Sequence, residues 1–99
     1  MMKIVKLDSV TDISQLVASM EMDTYYELPQ NYRYKWIRFH GHSGLYSWAM
    51  EYNYQVSGCV GYIFPLSGNM VTQFKTKSGA KRNFLRRYEK YFKECLIGL

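Results

Sequence analysis

Ninety-nine residues carry 13 Lys+Arg against 8 Asp+Glu, a formal charge of +5, and 17% of them are aromatic, ten being tyrosine. That length is read as one domain, residues 1–99, and excludes a separate cofactor or substrate domain. A 47% hydrophobic content excludes a disordered tail.

At the N-terminus Lys3, Lys6 and Asp8 interrupt any apolar h-region, so no signal peptide is expected. Lys3–Leu7 reads as a short first strand. Asp8 and Ser9 are N-cap types, and Val10, Ile13, Leu16, Val17 and Met20 then recur at helical spacing, which predicts a helix over 9–21. Residues 23–31, with Pro29, read as a turn. Tyr32–His40 reads as an aromatic strand, and Gly41-His42-Ser43-Gly44 as the turn after it.

From Leu45 to Gln55 the alternation is strict. Tyr46, Trp48, Met50, Tyr52 and Tyr54 share one face, while Ser47, Ala49, Glu51, Asn53 and Gln55 share the other. Val60–Leu66 and Met70–Lys75 then flank Ser67-Gly68-Asn69, which predicts a hairpin with a three-residue turn. Pro65 ends its first arm or lies at an edge. Ser78 is expected to cap a last helix whose apolar face is Ala80, Phe84, Leu85, Tyr88, Tyr91, Phe92, Cys95, Leu96 and Leu99. The expected architecture is α+β: a small antiparallel sheet of about four strands packed on two helices, the second long, amphipathic and basic.

Charge is uneven along the chain. Residues 1–30 sum to −3, whereas residues 75–99 sum to +6. On the last helix Arg82, Arg86, Lys90 and Lys93 form one ridge opposite the apolar face, a row able to track phosphates. Lys75, Lys77, Lys81 and Arg82 crowd the helix start, where the macrodipole is already positive and each cation costs about 0.3–1 kcal/mol. Four bases there point to an anion held at that end. A solvated outer face explains the same ridge without any ligand, and acids of the N-terminal third are alternative partners for these bases.

A helix, three antiparallel strands and a second helix opening on Lys75-Thr-Lys77-Ser-Gly-Ala80-Lys81-Arg82 is similar to the double-stranded-RNA-binding domain, whose second helix opens on a Lys-rich anion-binding motif. The likeness spans about eight residues and an element order. The family's adjacent Lys-Lys pair and its following Ala-Lys are not reproduced in register.

The stretch Tyr32-Arg33-Tyr34-Lys35-Trp36-Ile37-Arg38 forms a second candidate surface. Its rings can stack unpaired bases while Arg33, Lys35 and Arg38 hold phosphates. The same residue types also make protein–protein hot spots, and part of the ring cluster must be core.

Catalytic and metal signals are weak. His40 and His42, with Cys59 a distant third, fall short of a zinc site, so no metal or cofactor is expected. Gly41-His42-Ser43-Gly44 departs from the nucleophile elbow, and no P-loop, dinucleotide fingerprint or close carboxylate pair occurs. A non-enzyme is expected. Cys59 and Cys95 read as reduced thiols of a cytoplasmic protein, and the longest nearly apolar run, 59–66, is far short of the about 20 residues that span a bilayer.

The leading expectation is a small accessory protein that binds nucleic acid, or a nucleoprotein complex, through its basic C-terminal helix. The second is a protein-binding inhibitor or adaptor. In size and composition the chain resembles phage or mobile-element proteins that block host defence effectors, including anti-CRISPR proteins. A homodimer joined through the tyrosine-bearing face is the third.

Overall fold

A computed structural model describes residues 3–97, with side chains as far as Phe92. The fold is α+β, as the sequence predicts, but the sheet is neither four-stranded nor wholly antiparallel. Its five strands stand side by side in chain order: β1 (Lys3–Lys6), β2 (Thr24–Glu27), β3 (Tyr34–His42), β4 (Leu45–Tyr52) and β5 (Tyr62–Ile63). β1 pairs with β2 in parallel, and the other pairings are antiparallel. A parallel neighbour requires a crossover, and α1 (Ile13–Ser19) supplies it. This helix is shorter than its apolar pattern, because Asp12 is the N-cap, accepting from the Gln15 N–H at 3.2 Å, and Met20 already has extended backbone.

β2 occupies residues expected to be a turn. Thr24 and Tyr26 are buried while Tyr25 and Glu27 alternate outward, a period of two that polar neighbours and Pro29 obscure. The β3–β4 turn is tighter than expected. His42 pairs with Leu45, leaving only Ser43 and Gly44 between them, both at positive φ (53° and 76°). That is the type I′ geometry matched to strand twist. Beside it, the Tyr46 ring lies over Gly41, where a Cβ would come within 2.8 Å.

After β4 come α2 (Tyr54–Ser57), a single turn, and then β5. The predicted hairpin is the two-stranded sheet β6 (Leu66–Ser67) and β7 (Met70–Val71), whose turn is two residues, Gly68 and Asn69, rather than three. This hairpin and its flanks cross behind the main sheet. Pro65 is fully buried there, and the Ser47 hydroxyl donates to the Thr72 carbonyl at 3.0 Å. Ser47 and Ala49, expected on a polar face, are therefore buried as well.

α3 (Lys77–Ile97) lies with α1 on the other side of the sheet. Its N-cap is Thr76, not Ser78: the Thr76 hydroxyl accepts from the Gly79 N–H at 2.9 Å. Ala80, Phe84 and Phe92 are buried as predicted, and Phe84 meets Phe39 and Trp48 edge-on at ring separations of 5.6 and 5.4 Å. Edge-to-face pairs contribute about 0.5–1.5 kcal/mol beyond the area they bury. The Trp48 indole N–H, which would otherwise be orphaned in the core, donates to Asn83 Oδ1 at 2.9 Å. The Cys95 side chain lies outside the described residues. No helix among the described residues is long and apolar enough to cross a membrane.

Candidate functional site

The predicted anion cluster divides once the helices are in place. Lys75, Lys77, Arg82, Arg86 and Lys90 are solvent-exposed. Lys81 is not part of an outward cluster: its ammonium donates to the carbonyls of Ala18 and Met20 at 3.1 and 2.8 Å. Those carbonyls end α1, where the dipole is negative and the last acceptors lack helical partners. One of the four bases at the α3 start thus has an internal partner, the C-terminal pole of a second helix. Burial, and then the nearby charge of Lys77, hold the Lys81 ammonium below its usual pKa. The Lys93 side chain lies outside the described residues.

Among the described residues no ion pair joins an acid of the N-terminal third to a base of α3. Among the described residues the ion pairs are Lys3–Glu21 and Lys35–Glu51, each at 3.7 Å, and neither reaches that helix. Arg82 and Arg86 have no carboxylate at ion-pair distance among the described residues.

The aromatic stretch divides too. Tyr32 is core, its hydroxyl accepting from the Val10 N–H at 3.2 Å, and Tyr34 is equally buried. Neither offers a free ring face to a base. A bulge at Lys35 shifts the register between Tyr34 and Trp36, so Ile37 and Phe39 keep facing the helices while Trp36 and Arg38 face away. On that far side Trp36 meets Tyr25 edge-on at 4.8 Å and donates to Glu51 Oε1 at 2.8 Å. Arg38 lies over the Tyr25 ring and donates to its hydroxyl at 3.1 Å. With Ile4, Glu27, Tyr62 and Phe64 these residues line a cleft of about 450 Å³. Two carboxylates against one guanidinium make this cleft a poor host for a phosphate chain.

Arg33 belongs to a different hollow. The buried Asn53 amide donates to the carbonyls of Gln30 and Tyr32, both at 2.9 Å, and the Asn53 N–H donates to the Arg33 carbonyl at 2.8 Å. These bonds fix the loop that presents Arg33. The turn after α2 is set by Ser57, whose hydroxyl accepts from the Cys59 N–H at 3.0 Å and leaves that thiol exposed. Between the two segments and α3 lies a cleft of about 380 Å³, lined by Arg33, Tyr52, Cys59, Arg87, Tyr88 and Tyr91 with Tyr34 at its floor. Sequence reasoning placed Arg33 on the aromatic surface and left Arg87 unassigned. Their approach depends on the chain returning 54 residues later, which no local pattern encodes.

Among the described residues no three of His, Cys, Asp or Glu come together to hold a metal. His40 and His42 sit on one strand, His40 on the far face and His42 at the turn. Helix, three strands and helix follow one another as α1, β2–β4 and α3, the order that suggested the RNA-binding domain, with residues 53–76 inserted before the last helix. Comparison with protein-family models, with curated proteins and with solved structures finds no match, so this surface is read from its own residues.

Proposed function

We propose that this chain is a non-enzymatic nucleic-acid-binding protein that uses the outer face of α3. The observation that carries the reading is the exposed series Arg82, Arg86 and Lys90, with Lys75 and Lys77 also exposed at the start of the helix. Successive members stand four residues, or about 6 Å, apart along the axis. Arg82 and Arg86 lack internal acidic partners among the described residues, so their charge is available to phosphates. Each phosphate contact releases counterions, which makes the affinity steeply salt-dependent.

Fluorescence anisotropy with single- and double-stranded DNA and RNA over a salt series tests the proposal. Binding that weakens with salt is expected, and Arg82→Glu with Arg86→Glu should lower the log–log slope by about 1.4–1.8. Absence of binding at about 50 mM salt, or an unchanged slope in the double variant, overturns it.

A second reading, a protein-binding inhibitor or adaptor, has one observation in its favour. The far-face cleft exposes Ile4, Tyr62 and Phe64 around Trp36, a ring-rich patch of the kind that protein hot spots use. Capture of one defined protein from a nuclease-treated bacterial lysate, lost in Trp36→Ala with Tyr62→Ala, would favour it over the first.

A further inference from the structure

We infer that the cleft between Arg33 and Arg87 is a nucleotide subsite, taking one phosphate between the two guanidinium groups and one base against Tyr91. The inference rests on the nucleic-acid reading above and gives it a seat for an individual nucleotide. Five observations converge on it. Arg33 and Arg87 line the same hollow from two separate elements, the residue before β3 and α3, and both are exposed. Among the described residues no carboxylate lines the cleft. Two arginines facing one hollow match the bidentate demands of a phosphate better than any single surface base.

The remaining lining is aromatic. Tyr88 and Tyr91 lie 6.0 Å apart at the α3 wall, and the Tyr91 ring is 46% exposed. A half-exposed ring beside a cationic pair is the arrangement by which single strands are held: stacking for the base, charge for the backbone. The volume, about 380 Å³, falls in the range of small-ligand pockets. Its position also fits a longer strand. At about 100° per residue, Arg87 and Tyr91 flank the Arg82–Arg86–Lys90 row on α3, so a backbone leaving the cleft runs onto that row.

The site is rigid where it must be. Tyr34, Tyr52 and Tyr88 pack on one another at 5.8 and 6.0 Å beneath the opening, and Asn53 anchors the Arg33 loop. Burial, acting chiefly on the phenols, keeps Tyr34 and Tyr88 protonated far above neutrality, so the floor adds no negative charge.

Cys59, exposed on the rim, is a built-in reporter. Its alkylation by iodoacetamide is followed by peptide mass mapping with no addition, with an oligothymidylate of about ten nucleotides, with a 5′-mononucleotide, and with oligoglutamate. Oligothymidylate should slow alkylation at least about tenfold, and the exposed substitutions Arg33→Gln, Arg87→Gln and Tyr91→Ala should each weaken its binding by about three- to tenfold. Circular dichroism identifies any variant that fails to fold, in which case Arg33→Lys and Arg87→Lys replace it, the lost bidentate geometry still weakening binding. If the oligonucleotide binds by anisotropy while Cys59 reacts as before and these variants bind normally, the subsite is overturned and the α3 reading survives. Protection by the mononucleotide without oligonucleotide binding supports the subsite and overturns the α3 reading. Equal protection by oligoglutamate overturns the nucleotide assignment, and protection by none of them overturns the subsite.

Discussion

The two faces of the five-stranded sheet are made by the same strands from the same kinds of residue, yet helices seal one, while on the other the strap around Pro65 and Thr72 covers Ser47 and leaves the Trp36 region half-open. On the helix side Phe39, Trp48 and Met50 are wholly buried beneath α1 and α3. On the far side Tyr25, Trp36 and Arg38 are half-covered, and cross-strand hydrogen bonds join Trp36 to Glu51 and Arg38 to Tyr25. Aromatic content therefore says little about function in this protein. What separates a core ring from a surface ring is its parity along the strand, together with one bulge at Lys35 that resets that parity between Tyr34 and Trp36.

The sharpest way to break this contrast is to remove one ring from each face. Phe84→Ala should cost about 3–5 kcal/mol in chemical denaturation, since it opens a cavity between Phe39 and Trp48. Trp36→Ala should cost only about 1–2 kcal/mol, the loss of ring contacts with Tyr25 and Tyr62 and one hydrogen bond at a half-exposed position. Equal losses would mean that the far face is as tightly held as the core.

The faces should also differ in their response to pH. Burial on the helix side pushes the Tyr34 phenol from 10.0 up to about 12. Above pH 10 the unfolded chain releases this proton while the folded chain keeps it, so stability falls as pH rises toward 12. The fall is on the order of 2–3 kcal/mol, and Tyr34→Phe should remove it from equilibrium unfolding curves.

At the joint between the helices, Lys81→Met should cost about 1 kcal/mol by stranding the α1 carbonyls, whereas Lys77→Met, out in solvent, should change stability by less than about 0.5 kcal/mol. Similar values for the two would show that the Lys81 bonds contribute nothing net.

The smallest effect belongs to the far face at low pH. Burial, reinforced by Arg38 and opposed by Asp23, holds the His40 imidazole below 6.5. The unfolded chain therefore takes up that proton first as pH drops, and stability present above pH 6.5 declines below it. His40→Gln should flatten this acid limb of the melting temperature.

Much of this fold is legible along the chain, and the exceptions share a cause. The periodicities of α3 and β4 are long and supported by many residues, so both elements appear near their expected places. β2 escapes because four residues with half their side chains polar carry too little pattern. The parallel β1–β2 pairing, and the strap that buries Ser47, arise from chain reversals with no local signature. For the candidate sites the outcome is similar. Exposure of Arg82, Arg86 and Lys90 follows from helical geometry. The burial of Tyr32, the internal partner of Lys81 and the approach of Arg33 to Arg87 depend on tertiary contact.

The two-residue Ser43-Gly44 turn also has a kinetic consequence. It joins the two longest strands across the shortest loop in the sheet, so their pairing demands little closure entropy and is available on the microsecond scale. β1 can join only after α1 has bridged it to β2, and α3 must dock across the same surface from the far end of the chain. Folding is thus expected to run outward from the centre of the sheet. Substitutions in the Ser43-Gly44 turn should slow folding, while those in β1 should chiefly hasten unfolding.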